Sequence, residues 1–448
     1  MAGGRWTSQS KVRPGAYINV DSTGMERSVL RMRGIVTMPW IGDFGQTDEI
    51  IELTTRSNFY ELLGHDLNSP KLLTIREALK HASKVLLYRV AGGTVAAAHV
   101  GHLQVEAKYP GTRGNDIMIA VEQNIGNDMT FTVKTFIDMK QIDAQVVKSI
   151  GDLKANQFVT FSGAQDQPLN EMTAGVHLTE GTNVVLTPAH LDRYLELLEA
   201  YDFNTMAFPI EDANMKLTAI NWIKDLRTHE GKKCQLVVAD ATPGSADDEA
   251  IINVKNGVIL SGNNGEAISI SAYEATAWVA GATAGADVNE SNTYTSYDGA
   301  IGLNKDERYS NAKIINLLEE GYFLFTEQNG RIVVEQDINS LHSFTDTRNQ
   351  SFAKNRVIRV LDDLANSIRR MFAEHFIGQV TNDEDGRAVF KVAVLEYMDS
   401  LQNMGAIENF SAEDIQIESG QSKDSIVANV QVQPTDAMEK LFMSVEVQ

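Results

Sequence analysis

The end of the chain places the tightest constraint on the fold. Ile426, Ala428, Val430 and Val432 alternate with Val427, Asn429 and Gln431, and beyond Pro434 the residues Leu441, Met443, Val445 and Val447 alternate with mostly polar neighbours. Both runs carry the two-residue period of a strand, interrupted at Phe442. A strand carries backbone N–H and C=O groups that need partners, so each run must pair in its own sheet or with another molecule. The other end poses the same question: Arg13-Pro14-Gly15 reads as a turn that launches Tyr17-Ile18-Asn19-Val20 out of a polar leader. Two readings follow. Either each end completes a sheet of its own domain, or residues 1–30 and 425–448 are extended arms that exchange strands between subunits. In the second case Tyr17, Ile18, Val20, Val430, Val432, Leu441, Met443 and Val445 are the residues that would enter a neighbour's sheet.

The body between these ends is large enough to hold several cores. With 448 residues and 43% hydrophobic residues, it fits about two to four domains. The apolar run Ala275 to Ala286 contains Trp278, Gly281, Thr283 and Gly285 and is too short to cross a bilayer, so no membrane insertion is expected. No apolar segment follows Arg5, Lys11 and Arg13, and no secretory signal is expected. Cys234 is the single cysteine, which excludes an intrachain disulfide and speaks against a cysteine zinc site. The formal charge of −21 argues against nucleic acid as the main partner, because a duplex binder draws its affinity from cations that displace phosphate counterions. It also means that dense self-assembly needs complementary charge or strand contacts at its interfaces.

The periodicities predict an α/β and α+β multidomain protein. Residues 31–93 alternate strand and helix signals: Gly34 to Met38 and Val85 to Val90 as strands, with Leu72, Ile75, Ala78 and Leu79 as a helical face after Pro70. Over 94–184 short strands take over, at Ile117 to Val121 and Met129 to Phe136, punctuated by Gly126-Asn127-Asp128 and Gly163, and this reads as an inserted β-rich module. The α/β alternation resumes over 185–338. Thr187 and Pro188 suit an N-cap and first helical position, with Leu191, Tyr194, Leu195 and Leu198 on one face. Ala272 to Ala286 reads as a helix whose small residues permit a close backbone approach, and Asn329-Gly330 marks a hairpin between Tyr322 and Gln336. A C-terminal α+β domain is expected over 339–424, with helices from about Thr347 to Phe376 and Val389 to Met404 before the terminal strands.

Motifs for catalysis are missing. The chain has no Gly-x-Ser-x-Gly elbow, no His-Glu-x-x-His and no phosphate loop ending in Gly-Lys-Ser/Thr. Gly92 to His99 lacks the lysine that would reach a phosphate, and Gly262-Asn263-Asn264-Gly265 reads as a turn. His99 and His102 have no third ligand nearby and read as incidental loop histidines. Asp362-Asp363 and Asp383-Glu384-Asp385 lack the spacing of a calcium loop. Neither catalytic, metal nor cofactor residues are assigned.

Several segments, taken in order, resemble contractile phage-tail sheath proteins. They are Gly321 to Thr326, Val333-Val334-Glu335-Gln336-Asp337-Ile338-Asn339, Lys354 to Asn366, Gly386 to Lys391 and Val432 to Leu441. Arg13 to Ile18, Ala107 to Asp116 and Ala277 to Gly285 extend the resemblance thinly over most of the chain. It implies a non-enzymatic subunit, without ATP or cofactor, that stacks as hexameric rings around an inner tail tube in a metastable extended state. Terminal arms would stitch subunits by strand exchange, and baseplate and tail terminator proteins would be further partners. A baseplate signal would release contraction and drive the tube through a cell envelope. The particle, whether phage, defective prophage or tail-like bacteriocin, would assemble in the cytoplasm of a bacterial host. A static tail tube or shell protein is the alternative, and a cytoplasmic α/β hydrolase a more remote one.

The resemblance also bears on a local charge pattern. Arg348, Lys354, Arg356, Arg359, Arg369 and Arg370 cluster on the first long helix of the last domain against an acidic background, with Ala365, Ile368 and Phe372 as its apolar face. In sheath proteins this domain lies innermost, so Arg356, Arg359, Arg369 and Arg370 become candidates to face the tube. Read from charge alone, they are equally a solvated face or partners for carboxylates of their own domain.

Overall fold

A computed structural model describes the backbone of residues 2–4 and 15–17, and residues 33–124, 130–167, 169–262 and 265–447. Ile18, Val20 and the turn residues 126–128 and 263–264 lie outside the described residues.

The fold is a multidomain mixture of α/β and α+β parts. Its centre is a seven-stranded sheet built from Ile35–Trp40 (β1), Ile50–Leu53 (β2), Lys84–Arg89 (β3), Thr205–Ala207 (β4), Gln235–Ala239 (β5), Ile251–Val254 (β6) and Tyr322–Phe323 (β7). The strand order is β7-β6-β5-β4-β1-β3-β2. All neighbours are parallel except β2, which runs antiparallel to β3. Strands such as β5 and β6 are buried at every residue, which is why they read as continuous apolar runs rather than alternations. Alternate residues of one strand nonetheless enter opposite cores. Val85 and Leu87 of β3 join Trp278 and its neighbours on one face, and Leu86 and Tyr88 join Tyr194 and Leu198 on the other.

The first face is covered by Leu73–Leu79 (α1) and Ala272–Gly285 (α4), the second by Pro188–Leu198 (α2) and Ala213–Thr228 (α3). Thr187 and Pro188 sit at the N-cap and first position of α2 as its sequence predicts. The small residues of α4 have a definite use. A Cβ on Gly281 would stand 2.4 Å from the Ala78 carbonyl oxygen, and one on Gly285 2.3 Å from that of His81. The two helices thus approach backbone to backbone, which offsets the helix-weakening effect of glycine. Asn329 and Gly330 both take positive φ, the turn that matches the twist of the hairpin Phe325–Gln328/Arg331–Val334.

Between β3 and α2 the chain builds two antiparallel sheets, one ordered 159–163, 103–107, 97–100 and the other 140–147, 131–137, 117–123, 173–177. Their inner faces share one core that includes Val105, Ile119, Val133 and Phe158. Among the described residues no helix is long and apolar enough to cross a membrane.

By internal packing the described residues form two compact units, one within 33–366, 405–408 and 433–448, the other including 367–404 and 409–432. Residues 339–366, expected with the C-terminal domain, therefore pack with the larger unit. Ser340 N–H donates to the Ile251 carbonyl of β6 at 2.8 Å and Gln235 Nε2 to Asn355 Oδ1 at 3.1 Å. The helix expected from Thr347 begins only at Asn355 and runs to His375 (α5), because a 3-10 turn at Gln350–Ala353, capped by Asn349, is followed by extended backbone at Lys354.

Candidate functional site

The smaller unit pairs the second half of α5 with the helix Glu384–Asn403 (α6). Asp383 caps α6 by accepting from Gly386 N–H at 2.8 Å, which satisfies one of the orphan donors of its first turn. Phe372, Phe376 and Phe390 meet edge to face or stacked, with Phe376 and Phe390 centroids 4.9 Å apart. On α6 lies a hairpin of Ile415–Ser419 (β8) and Ile426–Val430 (β9), in register from Ile415 opposite Val430 to Ser419 opposite Ile426. Asn382 Nδ2 donates to the carbonyls of Lys423 and Ser425 at 3.0 and 2.9 Å, tying the hairpin loop to the start of α6. The sheet has two strands only. Among the described residues, both outer edges are therefore unpaired, with Val427 exposed and Val430 half-buried.

The chain then returns to the larger unit. Val432, half-buried, is outside any strand, while Gln433–Pro434 pairs with Ile407–Glu408. Thr435 N–H donates to the Ala406 carbonyl at 3.0 Å and its hydroxyl to that of Gly405 at 2.6 Å. Farther on, the strand expected at Leu441 to Val447 is not formed within the chain. Leu441 is 84% exposed, Phe442 91%, Met443 74%, Val445 72% and Val447 94%. A strand exists only where a partner completes its ladder, and this segment has none among the described residues. At the other end the backbone of Gly15–Tyr17 pairs in parallel with Ala2–Gly4.

The four basic candidates separate. Arg356 and Arg359 are not surface charges: Arg356 is 8% and Arg359 1% exposed. Arg356 Nε donates to the Asn289 carbonyl at 2.8 Å and an Nη to the Thr435 hydroxyl at 2.9 Å. Arg359 reaches the carbonyls of Thr283 and Glu290 and the carboxylate of Asp337, the last at 3.5 Å. Asp337 is itself 1% exposed and also accepts from Asn292 N–H and Asn355 Nδ2 at 3.0 and 2.9 Å. These arginines are internal ties of the larger unit, which corrects their assignment to a tube-facing surface. Arg369 is exposed and Arg370 half-buried, both on the part of α5 that belongs to the smaller unit. Lys354 pairs with Glu439, and Arg348 with Asp248 and Glu249.

Asp337 and Thr435 are the residues that the sequence reading did not single out. Both lie in segments that carry the family resemblance, but no local period marks a buried carboxylate whose partners come from far along the chain. Among the described residues no group of three His, Cys, Asp or Glu side chains could hold a metal ion. Cys234 is buried, which pushes its thiol up to about 12 and leaves it poorly reactive.

Four family models match the chain in succession. They are the Gp18 domain III N-terminal region of the tail sheath protein over residues 33–90, the phage tail sheath protein beta-sandwich domain over 91–183, its central domain over 185–340 and the phage tail sheath C-terminal domain over 347–448. The phage-like element PBSX protein XkdK of Bacillus subtilis is 35% identical over 475 aligned positions covering all of both chains. The sheath tail protein from Desulfitobacterium hafniense superposes with a TM-score of 0.86 at 41% identity, over 97% of this chain and 100% of that one. The helical sheath of the anti-feeding prophage in its contracted state shares the fold, with a TM-score of 0.59 at 12% identity over 97% and 98% of the two chains. With these matches on nearly every residue from 33 onward, the chain belongs to the phage tail sheath proteins, structural components of phage tails and tail-like particles rather than enzymes.

Proposed function

We propose that this subunit polymerises around an inner tail tube as stacked hexameric rings, joined by strand exchange, and that the polymer contracts to drive the tube through a target cell envelope. The observation that carries this reading is that one chain has both a two-stranded hairpin whose outer edges are unpaired among the described residues and an exposed apolar segment of strand period at 441–447. One is an acceptor for added strands and the other is strand material without a partner. The Gly15–Tyr17 backbone and the residues after it, Ile18 and Val20, supply the second donor.

Each backbone hydrogen bond contributes about 0.5–1.5 kcal/mol net, so one short exchange is modest, but repetition over a lattice makes the mesh persist. Strand exchange would let the bodies of neighbouring subunits repack while staying connected, so stored energy would reside in the difference between two packings of those bodies. Arg369 and Arg370 are the basic residues proposed to guide assembly on the tube. Baseplate and terminator proteins would cap the polymer at its ends, and assembly would take place in the host cytoplasm. Electron microscopy of native particles before and after triggering tests the reading. Long, narrow and short, wide sheaths around one tube are expected, and a single invariant length would sink contraction in favour of a static shell.

A further inference from the structure

The C-terminal segment does not leave the body of the subunit as one loose arm. Beyond Thr435 it is fastened once more, at Glu439. The Glu439 carboxylate accepts from the Thr293 hydroxyl and from Gln336 Nε2, each at 2.8 Å, and pairs with Lys354 Nζ. Its side chain is 11% exposed, although Met438 before it and Leu441 after it are almost fully exposed. The three donors come from separate places in the larger unit: the loop after α4, the second residue after the hairpin strand Arg331–Val334, and the residue before α5. They are held in place by the buried network already described. Thr293 Oγ1 accepts from Asp337 N–H at 2.9 Å while it donates to Glu439, and Asp337 is the carboxylate that engages Arg359 and Asn355.

We propose that Glu439 is the anchor that fixes where the exchangeable C-terminal arm begins, so that residues 433–439 stay on their own subunit and only residues from 440 onward reach a neighbour. The inference rests on the strand-exchange reading of the arm and adds the position of its root. The consequence is geometric. An extended chain covers at most about 3.3–3.6 Å per residue, so 440–447 reaches roughly 25–30 Å, whereas release from Gln433 would allow roughly 50 Å. A fixed root limits which residues can enter the acceptor hairpin. Register matters there because a slip by one residue exchanges the apolar and polar faces of the strand. Glu439 acts as a positioning residue for strand exchange without itself entering the exchanged strand.

The test uses the dilute, unpolymerised full-length subunit carrying a nitroxide at Met438→Cys or at Met443→Cys, with the buried Cys234 left in place. In the otherwise unaltered chain the label at 438 should move slowly and the label at 443 freely. Glu439→Ala and Lys354→Met should each bring the mobility at 438 up to that at 443 without altering the circular-dichroism melt. Free motion at 438 in the unaltered chain, or slow motion retained in both variants, overturns the anchor. Should Lys354→Met fail to fold, Glu439→Ala decides, since that side chain belongs to the terminal segment. Failure of the underlying reading is separately visible: a label at 443 that stays mobile in assembled polymer refutes strand exchange while leaving the result at 438 intact. On polymerisation, the Glu439→Ala subunit should give sheaths of irregular register, and regular sheaths at the normal rate would remove the anchor's role in assembly.

Discussion

The seven-stranded sheet and the C-terminal hairpin solve the problem of sheet edges in opposite ways. The central sheet ends in short strands, Ile50–Leu53 on one side and Tyr322–Phe323 on the other, and its inner strands are buried on both faces. Short edges offer little template for another chain. Among the described residues the hairpin β8–β9 has only edges, and the apolar residues of 441–447 are exposed. On the reading proposed above, the first region stabilises one chain and the second connects chains. Subunits that each carry a formal charge of −21 would need such connections in a dense polymer, because like-charged surfaces repel and backbone pairing does not depend on side-chain charge.

The sharpest way to break this contrast is to cut the chain after Glu439. The removed side chains are solvent-exposed, so the unfolding free energy should change by less than about 0.5 kcal/mol, while ordered polymer disappears. In a neighbour, burial of each Val- or Leu-sized side chain would contribute about 1.5–3 kcal/mol, so the loss for assembly far exceeds the loss for folding. Normal sheaths from the truncated subunit, seen by electron microscopy, would show that this segment is not the connector. Loss of folding, read by circular dichroism, would show that the segment belongs to an intrachain core.

A second comparison is set inside α5. Arg359→Met leaves Asp337 buried beside a lost positive charge, and removing one partner of a buried pair costs about 3–5 kcal/mol. The two remaining donors to Asp337 favour the lower end of that range. Arg370→Glu should leave the monomer within about 0.5 kcal/mol of the unaltered chain and slow or misregister assembly on the tube, as rim charges act on encounter more than on the finished interface. Urea unfolding of both variants beside a time course of sheath growth distinguishes them. Equal destabilisation would erase the division of α5 into a structural half and an assembly half.

Features that depend on neighbours in sequence were legible from the sequence. Asn329-Gly330 turns a hairpin because both residues accept positive φ, and the small residues of α4 signal the close approach found at Gly281 and Gly285. Features set by distant partners were not. Helical spacing puts Arg356 and Arg359 in one cluster with Arg369 and Arg370, but only tertiary structure brings Asn289, Glu290, Asp337 and Thr435 to the first pair. The strand period of 441–447 was readable apart from Phe442, yet a period specifies a face and not a partner, and among the described residues that face is uncovered. Glu439 lies in a segment that carries the family resemblance but had no periodic signal of its own. It sits in the aperiodic stretch between Pro434 and Leu441, and its role depends on three donors from as many segments.

The smallest expected effect concerns acid. Burial alone would raise the Glu439 carboxyl, but hydrogen bonds from Lys354, Gln336 and Thr293, with the charge of Lys354, outweigh it and hold the group below its ordinary value. Because the folded-state value is depressed, the stabilisation from this tie is present above the ordinary glutamate value of 4.5 and is lost as pH falls through the lowered one. Lys354 is the charged group facing it. The nitroxide at 438 should therefore remain slow at pH 5 and gain mobility only below 4.5, while the label at 443 does not change. In Glu439→Gln the step should vanish, since no proton remains to be taken up at that position. A midpoint at or above 4.5 would mean that burial outweighs the three donors, and the anchor would then be held by shape rather than by charge. A step that survives in Glu439→Gln would assign the acid sensitivity to the body of the subunit, and the contrast between a closed core and a separately fastened arm would lose its clearest small-scale signature.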